Sequence, residues 1–344
     1  MADHPSKFIR TLKGEAQSTP PMWFMRQAGR YLPEYRATRE QAGGFLDLCY
    51  NPELAAEVTF QPIRRYGLDA AILFADILLI PQALGVDVRF EAGEGPVLEP
   101  VRNGSALSAL GERDIHETLS PIYETVRLVR DGLPKDVALI GFAGAPWTVA
   151  TYVLAGGGVK DPAALRRYYY DDPDFVLGLI KKITDATIDY LIRQIDAGAD
   201  AIQLFDTWAG GLPAPVTRTL SIEPMAQIAD AIKAARPDIP VIMFPKGGFG
   251  FLTEYASLPS CDAVGIDFAA PWAAARDTVR PHAAVQGGLD PLLVVAGGAP
   301  MENAARELVE TFKDTPYVFN LGHGFVPETP PENVARLIDI VRCS

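Results

Sequence analysis

What most restricts the fold of this chain is a series of short, uninterrupted apolar runs spread along its whole length. They are Trp23 to Met25, Ala70 to Ala75, Ala138 to Phe142, Ala201 to Phe205, Val241 to Phe244, Ala263 to Ile266, Ala283 to Gln286 and Tyr317 to Leu321. Polar residues do not alternate through them, which suits parallel strands covered on both faces. Helical patterns occupy the intervals. Asn51 and Pro52 form an N-cap and first-turn pair for ELAAEVTFQPIRRY, and Gly67 ends it. Asp172 and Pro173 open a longer helix in which Val176, Ile180, Ile183, Thr187, Leu191 and Ile195 recur at three- and four-residue steps before Gly198. After both helices the chain reads Gly-x-Asp-Ala into a strand, at Gly67 to Ala70 and Gly198 to Ala201, and Cys261-Asp262-Ala263 echoes it.

Eight strands alternating with helices over 344 residues fit a single-domain (β/α)8 barrel, residues 1–344, better than an open doubly wound sheet. Val86 to Val101 reads as a β-hairpin insertion after the second strand. With 48% hydrophobic and 22% charged residues and no long uncharged apolar run, no membrane span is expected. The opening MADHPSKFIRTLKGE, with His4 in a tail, lacks the apolar block of a secretory signal, so the cytosol is the expected compartment. Cys49, Cys261 and Cys343 are too scattered for a disulfide framework or a CxxC motif and read as reduced. No histidine forms an HxxxH or HxC pair, which argues against zinc. A net charge of −12 disfavours nucleic acid as a partner. It leaves room for a small anion, because screening over about 8 Å lets a local basic pocket differ from the whole surface.

Such a pocket is suggested by PPMWFMRQAGRYLPEYR, Pro20 to Arg36, which holds three arginines and four aromatics. Gly29 and Pro33 break both regular periods, so Arg26 and Arg30 fall on a loop at a strand's end. A guanidinium's flat fork of donors matches a carboxylate, and two in one loop suit an anionic, partly apolar ligand; surface salt bridging is the other reading. In a barrel the residues just past the strands line the active site. Here they are Arg26, Asp76, Ala143 to Trp147, Asp206, Thr207, Lys246, Asp267, Gly287 to Asp290 and His323.

Asp76, in LFADILLIPQALG, is apolar on both sides, so its carboxylate needs a partner. It reads equally as a helix cap, as the mate of Arg26 or Arg30, or as a functional charge. His323 is bracketed by glycines that let a backbone or ligand come close. GFAGAPWTVATYVLAGGG has neither P-loop nor dinucleotide spacing, and Tyr152 is its one polar group able to face a ligand. Asp206 reads equally as a local turn or cap residue and Thr207 as bonding its own backbone. Lys246 and Asp267 read first as structural.

Taken together, PPMWFMRQAGRYLPEYR, GFAGAPWT, LFADILLIPQALG, FDTWAG and LGHGFVPETPPE resemble one family, uroporphyrinogen decarboxylase, over nearly the whole chain. The resemblance implies a cofactor-free, metal-free decarboxylase on a distorted (β/α)8 barrel, acting as a homodimer. It would convert the four acetate side chains of uroporphyrinogen III to methyls, giving coproporphyrinogen III. By motif, Arg26, Gln27, Ala28, Gly29 and Arg30 would bind substrate carboxylates, and Asp76 would lie beneath the macrocycle. Tyr152, Thr207 and His323 would contact the substrate, with Phe142 and Phe205 packing on it. Many members have Ser at Thr207, so the hydroxyl is kept and a methyl is added. Asp76 and Arg26 are the implied catalytic pair. A guanidinium with a pKa of about 12 or more is nevertheless a poor acid, so a water held by Arg26 or a substrate carboxyl competes as proton donor. Two rival readings use the same barrel: a zinc-dependent corrinoid or thiol methyltransferase, for which the chain lacks His-x-Cys, and a non-catalytic tetrapyrrole carrier.

Overall fold

The computed structural model of the chain describes residues 6–91, 95–159 and 162–344, so His4 and the tip of the expected hairpin lie outside the described residues. Seven of the eight apolar runs are strands of one parallel sheet. They are β1 (Ala70–Ile72), β4 (Ala138–Gly144), β5 (Ala201–Asp206), β6 (Val241–Pro245), β7 (Ala263–Ile266), β8 (Ala284–Gly287) and β9 (Tyr317–Val318), hydrogen-bonded in that order. The hairpin is present as β2 (Val88–Glu91) paired antiparallel to β3 (Gly95–Leu98). The two helices read most clearly from the sequence run Pro52–Tyr66 and Pro173–Ala197. The Asn51 and Asp172 side chains accept the N–H groups of Leu54 and Phe175, and Gly67 ends the first helix in the left-handed region.

The first apolar run closes the ring without being a regular strand. Met22 bridges in parallel to Phe319, whose N–H donates to the Pro21 carbonyl at 2.9 Å. On its other side Asp69 N–H donates to the Met22 carbonyl at 2.9 Å, and the Asp69 carboxylate accepts Met22 N–H at 2.8 Å. The ladder stops there on one side because Pro20 and Pro21 have no N–H to give.

That Asp69 clasp explains the repeated Gly-x-Asp-Ala connection. Asp200 exchanges the same pair of bonds with Leu139, and Asp262 with Val241. Each carboxylate also pairs with a cation: Lys7 for Asp69, Arg130 for Asp200 and Lys233 for Asp262. Asp69 therefore treats Met22 as the other two treat residues of neighbouring strands.

The barrel's lower interior is unusual in being lined by small residues. Ala70, Ala138, Ala201, Ala263 and Ala284 share one buried cluster with Phe8, Ile9 and Leu12 of the short helix Lys7–Leu12. The helix plugs the space that five methyl side chains leave, so the floor is packed with apolar side chains. Above it Trp23 donates to Gln286 at 2.8 Å, and Gln286 to Gln203 at 3.1 Å, a buried polar layer below the mouth. Cys49, Cys261 and Cys343 are free thiols, and no helix among the described residues is long and apolar enough to cross a membrane.

Candidate active site

The closing segment delivers the arginine loop to the C-terminal mouth. Arg26 adopts φ of 61°, a left-handed conformation that a non-glycine residue enters at a cost. It is held there from both sides: Met25 N–H donates to the Asn320 side chain at 3.1 Å, and Gln27 N–H to the Phe24 carbonyl at 3.0 Å. Gln27 is buried, and its side chain is committed to the backbone of Phe24 and Ala70. It shapes the loop. Arg26 and Arg30 are exposed at the rim, and among the described residues neither forms an ion pair or a side-chain hydrogen bond. The salt-bridge reading therefore fails for both; in this stretch Arg36 is the arginine spent locally, donating to the carbonyls of Arg30 and Tyr31.

Asp76 follows β1. One oxygen accepts Leu78 N–H at 2.8 Å, a turn that leads into the helix Leu79–Ala83, so the capping reading is met in part. Among the described residues its other oxygen has no hydrogen-bond partner, and no salt bridge ties it to Arg26 or Arg30. The residue keeps part of its surface open to the mouth, while dense protein around the carboxyl pushes its pKa up to about 6; the Leu78 N–H and the Arg26 charge pull the other way. Tyr152, on the helix Pro146–Ala155, feels both Asp76 and Arg26, and burial raises its hydroxyl. Phe142 and Phe205 meet edge to face at 5.7 Å, and Phe205 meets Phe244 at 6.1 Å. An aromatic floor thus spans β4, β5 and β6.

The opposite side of the mouth is anchored by Asp206, which is wholly buried. Its carboxylate accepts hydrogen bonds from the hydroxyls of Thr148, at 2.5 Å, and Ser221, and Ser221 in turn contacts the Tyr255 hydroxyl at 2.6 Å. Burial pushes the Asp206 carboxyl up to about 6 against those donors. Ser221 sits in a π-helical turn, Arg218–Ile222, which swings its hydroxyl inward. Asp206 therefore holds the β5 loop that presents Thr207 and Trp208. Asp267, also buried, is spent on the N–H groups of Gly247 and, at 2.7 Å, Ala269. That is the structural role expected of it.

His323 lies between these halves. Burial first, then the charges of Arg26 and Lys246, push its pKa down to about 4 against the pull of Asp267. Its imidazole is neutral at ordinary pH, an acceptor and donor rather than an acid. A cleft of about 280 Å³ lies beside Thr207, Trp208 and Lys246. A larger indentation of about 440 Å³, lined by Glu34, Glu57 and Gln61, has its cations already paired, Arg64 with Glu57 and Arg65 with Glu34, and offers a ligand little.

The mouth thus gathers Arg26, Asp76, Tyr152, Thr207 and His323 around aromatic rings. Ala143, Ala145, Trp147 and Leu289 are buried packing, and Asp290 caps the helix Pro291–Ala296. Sequence reasoning missed Ser221 and Tyr255 as supports, since nothing local marks a hydroxyl that acts fifteen residues from its partner. Gly324 was visible only as a flank of His323. Among the described residues no group of three or more His, Cys, Asp or Glu side chains comes together as a metal site.

The chain matches the family model described as Uroporphyrinogen decarboxylase (URO-D) over residues 3–343. It is 54% identical over 342 residues to the uroporphyrinogen decarboxylase of Rhodospirillum rubrum, covering 98% of each chain. To that of Paracoccus denitrificans it is 53% identical, covering 97% of this chain and 98% of the other. Among solved structures it resembles a methyltransferase from Methanosarcina mazei with a TM-score of 0.79 at 19% identity, covering 97% of this chain and 96% of the other, a likeness of fold.

Proposed function

On the footing that the chain belongs to the uroporphyrinogen decarboxylase family, we propose that its barrel mouth converts the four acetate side chains of uroporphyrinogen to methyls, giving coproporphyrinogen. The protein is a carboxy-lyase of porphyrin and heme biosynthesis. A pyrrole acetate holds its CO₂ because the electron pair left behind has no acceptor. Protonating the adjacent ring carbon first creates a cationic, iminium-like sink. Loss of CO₂ then returns the C–C electrons to the ring and leaves an exocyclic methylene; a second proton converts that methylene to methyl, and the ring carbon gives up the proton it first gained, restoring the pyrrole.

In this reading Asp76 is the counter-charge. Its free oxygen accepts pyrrole N–H groups and stabilises the ring cation, in a site dry enough for a fixed charge to contribute about 3 kcal/mol or more to the barrier. Arg26 and Arg30, with the backbone of Ala28 and Gly29, hold substrate carboxylates, and Gln27 supports them from beneath. Phe142 and Phe205 supply the apolar face, while Tyr152, Thr207 and neutral His323 orient the ring. Arg26 also helps deliver the proton, through a water it holds. No cofactor enters this sequence of steps.

The observation that carries the assignment is the half-open, desolvated carboxylate of Asp76 facing an unpaired arginine rim in a chain of this family. Anaerobic incubation with uroporphyrinogen in the presence of a chelator, followed by counting carboxyl groups in the product, tests it. Four carboxyls lost per macrocycle are expected. Binding without loss would make the protein a carrier, and activity restored only by zinc would make it metal-dependent. The protein is further read as a cytosolic homodimer, which sedimentation at twice the mass of the chain would support.

A further inference from the structure

We infer that Lys246 forms a second anionic subsite, which takes a carboxylate arm of the macrocycle on the edge remote from the arginine loop. The inference rests on the decarboxylase reading. Taken in ring order, the closing segment, β1, β4, β5, β6, β7, β8 and β9 make eight positions, with Arg26 after the first and Lys246 after the fifth. The two cations therefore leave opposite sides of the barrel. Their charges nevertheless both reach His323, so they border one mouth.

The backbone of Lys246 is unusually fixed. Its N–H donates to the Asp206 carbonyl at 3.0 Å, and its carbonyl accepts Gly210 N–H at 2.9 Å. Beside it Gly247 and Gly210 touch main chain to main chain: a β-carbon on Gly210 would lie 2.7 Å from the Gly247 Cα. Gly247 has φ of +73° and gives its N–H to Asp267. Three loops thus hold the stem of the lysine in one place.

The ammonium, in contrast, has no partner among the described residues. Among the described residues Lys246 makes no ion pair and no side-chain hydrogen bond, although Asp267 lines the same cleft. Asp267 has both oxygens occupied by backbone N–H groups, which leaves the lysine's charge uncommitted. The cleft of about 280 Å³ is bordered by Thr207, Trp208, Gly247, Asp267 and the exposed ring of Phe268. It has room for a short carboxylate arm and a wall for its methylenes.

The substrate's chemistry requires such a site. Uroporphyrinogen carries carboxylates around its whole periphery, and arginines on one loop reach only one edge. Four acetates must be presented in turn, so the opposite edge meets different arms in each round. A flexible point charge accepts either length of arm without the fixed geometry a guanidinium demands.

The test is steady-state kinetics of Lys246→Met, which keeps the stem and removes the charge, beside Lys246→Arg and the wild type. Expected for Lys246→Met is a KM for uroporphyrinogen raised about tenfold with kcat within about threefold, as when a charge-assisted bond is lost from binding alone. Lys246→Arg, which keeps a charge but imposes the guanidinium's fixed geometry, should raise KM less than Lys246→Met does. Should the methionine variant not fold, Lys246→Gln gives the same reading. An unchanged KM, or a loss confined to kcat, overturns the subsite. A wild-type protein that does not decarboxylate at all overturns the functional reading instead, so the two failures are distinct.

Discussion

The side chain of Arg26 lies directly across Gly324: a β-carbon at position 324 would stand 2.5 Å from the arginine's Cδ and 2.6 Å from its Cγ. The glycine after His323 is thus the bed on which the rim arginine rests. Gly324 carries no positive φ, so alanine is tolerated by the backbone and its harm is confined to that contact. Gly324→Ala should keep the melting temperature within a few degrees and lower kcat/KM at least about tenfold by displacing Arg26. Thermal melts beside steady-state kinetics check it, and full activity would show that Arg26 works from another position.

Removing the counter-charge itself should be costlier. Asp76→Asn keeps the acceptor for Leu78 N–H and so the fold, but should reduce turnover at least about 100-fold. Near-normal turnover in that variant would take Asp76 out of the mechanism.

The same carboxyl should set the acid limb of the pH profile. Its pKa is raised to about 6, so it is ionised above that value and protonated below, and kcat/KM should fall as pH drops through 6. His323, held down to about 4, is already neutral there and adds nothing to the limb. The residual turnover of Asp76→Asn should lose the limb; if it persists unchanged, another group is responsible. Asp206 also titrates near 6 but is shut away behind Thr148 and Ser221.

Arg30 offers a test of the fork. Arg30→Lys keeps the charge and removes the paired donors, so substrate binding should weaken by about fivefold or more in KM with little change in kcat. An unaltered KM would contradict a bidentate contact.

The barrel floor predicts a stability effect remote from chemistry. Phe8 is fully buried among the interior alanines, and Phe8→Ala leaves a hole that they cannot fill. A loss of about 3–5 kcal/mol in urea unfolding is expected. A loss below about 1 kcal/mol would mean that the plug is not packed as described.

Much of the architecture was legible because buried parallel strands announce themselves as apolar runs. Ala201 to Phe205 and Ala263 to Ile266 became strands almost residue for residue. The ends were less legible: the Ala70 to Ala75 run is a strand only to Ile72, after which the chain bends toward Asp76. Trp23 to Met25 lies in the ring, but the prolines before it and the twisted Arg26 after it deny it a full ladder. At the site, motif and strand end pointed to Arg26, Asp76 and His323, whereas partners distant in sequence did not show. Gln27 as an internal brace, Ser221 behind Asp206 and the uncommitted charge of Lys246 each depend on a neighbour that only the folded ring supplies.

Because Pro21 and Met22 join β1 to β9, the ring is sealed by segments that lie far apart along the chain. A ribosome-bound chain that has not yet released Phe319 has no completed seam, hence no seat for Arg26. Ligand capture must then wait until Phe319 has emerged, and a fragment that stops short of it is unable to sequester a tetrapyrrole.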